Sequence, residues 1–181
     1  MFIAITGTPG TGKTSVSKLL SDNFKIIDLN KISIDNDLLL GIDKERNSKI
    51  VDIDKLNDFI FKNYSKENLI FFESHISHLL RSMDKIIILR AHPNFLKKNL
   101  QKKSWKKEKI KENLESEILD IILCEASDVH DIENIIEIDT TNKSINEIYN
   151  IIFKLINSNF KDSKRYKIGK IDWSEEILKD Y

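Results

Sequence analysis

The eight residues GTPGTGKT, positions 7–14, set Gly7, Gly10 and Gly12 ahead of Lys13 and Thr14 and complete the pattern G-x-x-x-x-G-K-[ST]. Glycines at this spacing let the backbone curl until successive N–H groups point inward at a phosphate. Lys13 would reach the β- and γ-phosphates, and the Thr14 hydroxyl would hold Mg²⁺. Ser15 offers a further donor to the α-phosphate, and the following helix adds its positive end. An ordinary glycine-rich turn is the alternative. It is disfavoured because the apolar run FIAIT (2–6) precedes the loop and a helix-forming run follows it, as a phosphate cradle requires.

Other chemistry-bearing residues fall at the ends of apolar runs. In LIFFESHISH (69–78), Glu73 ends a strand candidate where a carboxylate would organise Mg²⁺, and His75 would face the γ-phosphate. His75 and His78, three apart, could instead ligate a metal, although no third ligand is near in sequence; a plain loop role is open for both. Arg90 ends KIIILR (85–90) and is either a surface arginine or a phosphate clamp, the second being favoured. In EIDTTNKS (137–144), the turn at Thr141, Asn142 and Lys143 contacts a base or ribose, or only leads into a helix capped by Ser144.

Positioning these residues falls to short apolar strands alternating with helices, the mark of an α/β domain with a parallel sheet. Strands are expected at 2–6, 25–28, 69–73, 85–90 and 135–139, and helices at Lys13–Asn23, Ile53–Tyr64, Pro93–Gln101, about Lys107–Ala126 and Ser144–Asn159. Two stretches break the rhythm and read as inserts over the strand ends: the polar, loop-rich 28–51, and the charged KKSWKKEKIKENLESEILD (102–120). Within the second, residues 106–117 taken alone read equally well as a solvated face.

The 181 residues suffice for one domain with a real core. Lys and Arg together number 29, as do Asp and Glu, so no global field draws the chain to nucleic acid or membrane, and no direct sequence-specific nucleic-acid binding is expected. The single cysteine, Cys124, excludes an internal disulfide and fits a reducing cytoplasm. No apolar run is long enough to span a bilayer, and no signal peptide is visible. Arginine is scarce, at positions 46, 81, 90 and 165, which matters because phosphoryl transfer leans on it.

Taken in order, GTPGTGKTS, GIDKERNSKIVDIDKL, ESHISHLL, IIILRA, SWKKEKIKENLESEILDIILCEA and EIDTTNKS resemble the adenylate-kinase-6-like family, which has archaeal members and includes the human coilin-interacting nuclear ATPase. The match runs from Phe2 to about Lys143, with an echo in KIGKIDW (167–173). It implies a P-loop fold of adenylate-kinase type. That fold has a five-stranded parallel sheet flanked by helices, a nucleoside-monophosphate-binding insert at 28–51, a short lid at 102–112 and a C-terminal tail at 160–181. It implies that Gly10, Gly12, Lys13, Thr14 and Ser15 bind ATP, with Lys103 contributed by the lid and Lys143 near the base. Two positions depart from the family pattern: Glu73-Ser74-His75 stands where Asp-x-His is usual, and Lys103-Ser104-Trp105 where Arg-Gly-Tyr is usual.

The expected reaction is transfer of the terminal phosphoryl of MgATP to a nucleoside monophosphate, AMP by default. Lys13, Arg90 and Lys103 would stabilise the transferring group, and Thr14 and Glu73 would hold Mg²⁺. The resemblance adds ATPase activity, with His75 positioning water, and late maturation of the small ribosomal subunit through a small-subunit ribosomal protein. An ATPase-driven assembly factor with little kinase activity is the alternative. A small kinase acting on dephospho-coenzyme A or shikimate is a third reading.

Overall fold

The computed structural model describes residues 1–44 and 48–177. Arg46 and a few residues of the 28–51 insert lie outside them, as does the end of the tail.

The five expected strands are present as β1 (Phe2–Thr6), β2 (Lys25–Asp28), β5 (Ile70–Glu73), β6 (Lys85–Arg90) and β7 (Ile135–Asp139), all parallel, in the order β2-β5-β1-β6-β7. Side chains alternate across the pleat, so β1 feeds two cores. Phe2 and Ala4 pack with Phe72, Ile86, Ile88, and Leu56 and Ile60 of α3 (Ile53–Asn63) on one face. Ile3 and Ile5 pack with Phe71, Ile87, Val16 and Leu20 of α1 (Lys13–Leu20), and Ile148, Ile152 and Leu155 of α7 (Ile145–Asn157) on the other. A third cluster, Leu96, Leu100, Ile110 and Leu114, joins α4 (Pro93–Gln101) to α5 (Lys107–Ile118) and carries the 102–106 connection between them. Because the strands are parallel, Thr6, Glu73, Arg90 and Asp139 all end at one edge of the sheet, where a crevice forms.

Two expectations change. The insert at 28–51 is not loop-rich: it holds helix α2 (Leu29–Asp35) and the antiparallel pair β3 (Leu39–Asp43) and β4 (Ser48–Val51). Asp28 caps α2 by accepting from the Lys31 N–H at 3.1 Å, a local bond that starts a helix too short to show a period. The helix expected over 107–126 is two helices, α5 and α6 (Ile121–Val129), because Asp120 takes a left-handed conformation, φ 55°. Asp tolerates that conformation, and Arg90 gives its carboxylate a reason to be there.

Candidate functional site

The loop after β1 turns at Gly7, whose φ of 136° and closeness to β6 exclude a side chain: a Cβ there would lie 2.2 Å from the Leu89 carbonyl oxygen. Gly12, φ 102°, caps α1, so the first free N–H groups of that helix face the loop's concavity. Lys13, the first helical residue, is buried and folds back over the loop, donating to the carbonyls of Gly7 at 2.6 Å and Thr8 at 3.2 Å. Burial brings its pKa down to about 8 against the opposing pull of Glu73, with Lys103 lowering it further. The resting lysine is therefore a poorly solvated cation held by two dipoles, ready for a stronger anion.

Thr14 and Glu73 face each other, the hydroxyl donating to Glu73 Oε1 at 3.4 Å. Burial raises the Glu73 pKa, partly offset by Lys13. A desolvated carboxylate beside a hydroxyl is a hard-oxygen donor pair, which suits Mg²⁺. His75 lines the cleft and its side chain is exposed to water. Partial desolvation by the cleft, and next the Lys13 charge, lower its pKa to about 4, so the ring is neutral at pH 7. His78, in contrast, is buried: Thr6 Oγ1 lies 2.9 Å from its Nδ1, Glu125 Oε2 lies 2.9 Å from its Nε2, and His130 Nε2 meets its carbonyl at 2.7 Å. It braces β1 against α6. Among the described residues no group of three His, Cys, Asp or Glu side chains is placed to hold a metal, so the paired-histidine reading finds no third ligand.

One cavity of about 1,310 Å³ gathers Gly10, Gly12, Lys13, Thr14, Ser15, Glu73, His75 and Lys103. The same cavity is lined by Asn30 and Ser48 of the insert, by Ile76, Leu79, Ile122 and Glu125, and by Trp105 and Lys109. Lys109 sits 4.5 Å and Lys103 5.8 Å from the Trp105 ring centre.

Two expected residues stand elsewhere. Lys143 lines a separate cavity of about 680 Å³ between α7 and the tail. Arg90 is buried, and its guanidinium is taken up by Glu117, Asp120 and Glu137. Burial works against the charge, but those carboxylates outweigh it and hold the pKa above the usual arginine range. No sequence motif singles out Glu117, Lys109 or Glu125. For Glu117 a signal existed, since it falls on the face of α5 that also carries Ile110, Leu114 and Ile118.

The model of a family described as "AAA domain" matches residues 3–120. Curated relatives named "Putative adenylate kinase" include one from Pyrococcus furiosus, 39% identical over 98% of this chain and 96% of that protein. Another, from Methanocaldococcus jannaschii, is 39% identical over 100% and 97%. A third, from Methanosarcina barkeri, is 40% identical over 98% and 100%. The chain belongs to this archaeal adenylate-kinase-like family. Among solved structures, a shikimate kinase from Acinetobacter baumannii in complex with shikimate superposes with a TM-score of 0.60 at 16% identity, over 87% of this chain and 93% of that one. An uncharacterized protein from Eubacterium ventriosum gives 0.57 at 14%, over 87% and 99%. Both show the family's P-loop α/β fold, and at such identities nothing finer. No described helix is long and apolar enough to cross a membrane.

Proposed function

We propose that this chain is a nucleoside monophosphate kinase that moves the terminal phosphoryl of MgATP to an acceptor such as AMP. The observation that carries the reading is the single cavity shared by the phosphate loop and the 28–51 insert. At about 1,310 Å³ it exceeds the usual volume for one small ligand and suits a donor and an acceptor meeting end to end. The names of the archaeal relatives point the same way.

Lys13 would leave the Gly7 and Thr8 carbonyls for the β- and γ-phosphates, joined by the N–H groups at the start of α1. Thr14 and Glu73 would hold Mg²⁺, which when bound neutralises charge on the β- and γ-oxygens. Lys103, on the connection we read as a lid over 102–112, would approach the same phosphates. Neutral His75, which lines the same cavity, would donate its ring N–H to the attacking phosphate oxygen of the acceptor. Asn30, Ser48 and the apolar side chains Ile76, Leu79 and Ile122 would seat the acceptor. ATP hydrolysis and work on the small ribosomal subunit rest on family resemblance alone, and the acceptor half of the cavity favours transfer.

The test follows ADP and free phosphate separately in mixtures of protein and MgATP with and without AMP, with Lys13→Ala as the control for contaminants. ADP formed only when AMP is present, with little phosphate, is the expected result. Phosphate released equally with and without AMP would replace the kinase with an ATPase.

A further inference from the structure

Arg90 was expected at the phosphates, yet it lies at the centre of a continuous buried chain of polar groups that starts at the phosphate loop. The Thr8 hydroxyl donates to Glu117 Oε2 at 2.5 Å, within the range of a hydrogen bond to a charged carboxylate. Glu117 Oε1 accepts from Arg90 Nε at 2.8 Å and from the Ala91 N–H at 3.0 Å, while its own carbonyl accepts from a second Arg90 nitrogen at 3.0 Å. Arg90 continues to Glu137, which accepts from the Gly169 N–H at 2.9 Å and so reaches the tail. Thr8, Glu117, Arg90 and Glu137 are each at most 3% exposed.

We infer that Glu117, locked in place by Arg90, is a positioning residue for the phosphate cradle: it fixes the loop at Thr8 and ties it to the helix that follows the 102–106 connection. The Thr8 carbonyl already accepts from the Thr11 hydroxyl at 2.9 Å, the Thr11 N–H at 3.2 Å and Lys13 Nζ at 3.2 Å. Its carbonyl thus organises the inside of the loop and its hydroxyl moors the outside. Without the mooring, the loop must be ordered by the ligand, and affinity falls by the cost of that ordering. Glu117 itself touches no reacting atom. This inference rests on the reading of the loop as a triphosphate cradle.

Thr8→Val removes the donor to Glu117 Oε2 at nearly constant volume, while Glu117 Oε1 keeps Arg90 and the Ala91 N–H, so the carboxylate stays paired to its arginine. Calorimetric titration with MgATP should show affinity reduced about tenfold in Thr8→Val and restored in Thr8→Ser. The thermal midpoint of Thr8→Val should fall by a few degrees and leave the protein folded at the assay temperature, and KM for ATP should rise more than kcat falls. Glu117→Gln should move affinity in the same direction, and combining it with Thr8→Val should add little to the larger single effect. Wild-type affinity in a folded Thr8→Val protein would overturn the inference, as would equal losses in the Val and Ser variants or fully additive effects. If wild-type protein itself fails to bind MgATP, the cradle reading falls first and this inference with it.

Discussion

At one end of the main cavity the chain surrounds the phosphate loop with buried, mutually satisfied polar groups: Lys13, Thr8, Glu117, Arg90 and Glu73 are each no more than 8% exposed. At the other end it offers a seven-residue helix and a two-stranded hairpin on which Leu40, Ile42 and Ile50 face water, at 68%, 64% and 46% exposure. The first end is welded to the central sheet. The second is an isolated pair of strands, which has little stability of its own in water. A phosphate tail is the same in every nucleotide and rewards a preformed cradle, whereas an acceptor must enter, be enclosed and leave. On the proposed function, the contrast in packing follows the contrast in task.

Removing Lys13 should break the rigid end most completely. Lys13→Ala takes away the buried cation that, on the proposed function, leaves the loop carbonyls for the phosphates, and kcat should fall by about a thousandfold or more in the coupled ADP assay. Near-normal turnover would move the chemistry out of the loop altogether.

A pair of glycines tests the same contrast through stability. At Gly7 a methyl group would lie 2.2 Å from the Leu89 carbonyl oxygen, and that oxygen belongs to a central strand that cannot yield. Gly7→Ala should cost about 4 kcal/mol or prevent folding. Gly41, in the hairpin, also has a positive φ, 154°, but a Cβ there meets nothing within 4 Å. Gly41→Ala should cost about 1 kcal/mol, from backbone strain alone. Equal shifts in melting temperature would mean that the hairpin end is as tightly held as the cradle.

The strands and the cradle were legible because each is written in local residues: β-branched apolar runs and a loop pattern that only one geometry satisfies. Arg90 stands away from the loop for a physical reason. A strand-terminal arginine is drawn to whatever anions surround it, and the three carboxylates that claim it come from α5, the α5–α6 joint and β7, none adjacent to it in sequence. The charged run 106–117 hid Glu117 in the same way, since one buried carboxylate among many exposed ones is visible only from the apolar stripe beside it. The break at Asp120 and the short helix α2 escaped because a single left-handed residue and a single side-chain cap decide them.

Acidity separates stability from binding at the rigid end. Lys13 has its pKa near 8 in the folded chain against an ordinary value of 10.5, so between those values the unfolded chain holds more proton and folding gains as pH rises. Up to about 1.4 kcal/mol per pH unit is available from this one group. Wild type should therefore gain thermal stability relative to Lys13→Met between pH 8 and 10, while its affinity for MgATP declines as the ammonium is lost. A constant difference between the two proteins across that range would show that Lys13 keeps its proton.

The smallest expected effect lies in the hairpin. Leu40→Ser removes an aliphatic side chain that water already surrounds, so little transfer free energy is lost and the melting temperature should move by less than about 1 °C. Leu56→Ala, fully buried between α3 and the sheet, provides the scale, at about 2–5 kcal/mol. The informative quantity is KM for the acceptor measured beside stability. If the hairpin moves toward the bound acceptor and Leu40 becomes covered, Leu40→Ser should raise that KM several-fold and leave KM for ATP alone. If both constants stay at their wild-type values, the hairpin does not move onto its ligand, and the cavity works at the width seen here.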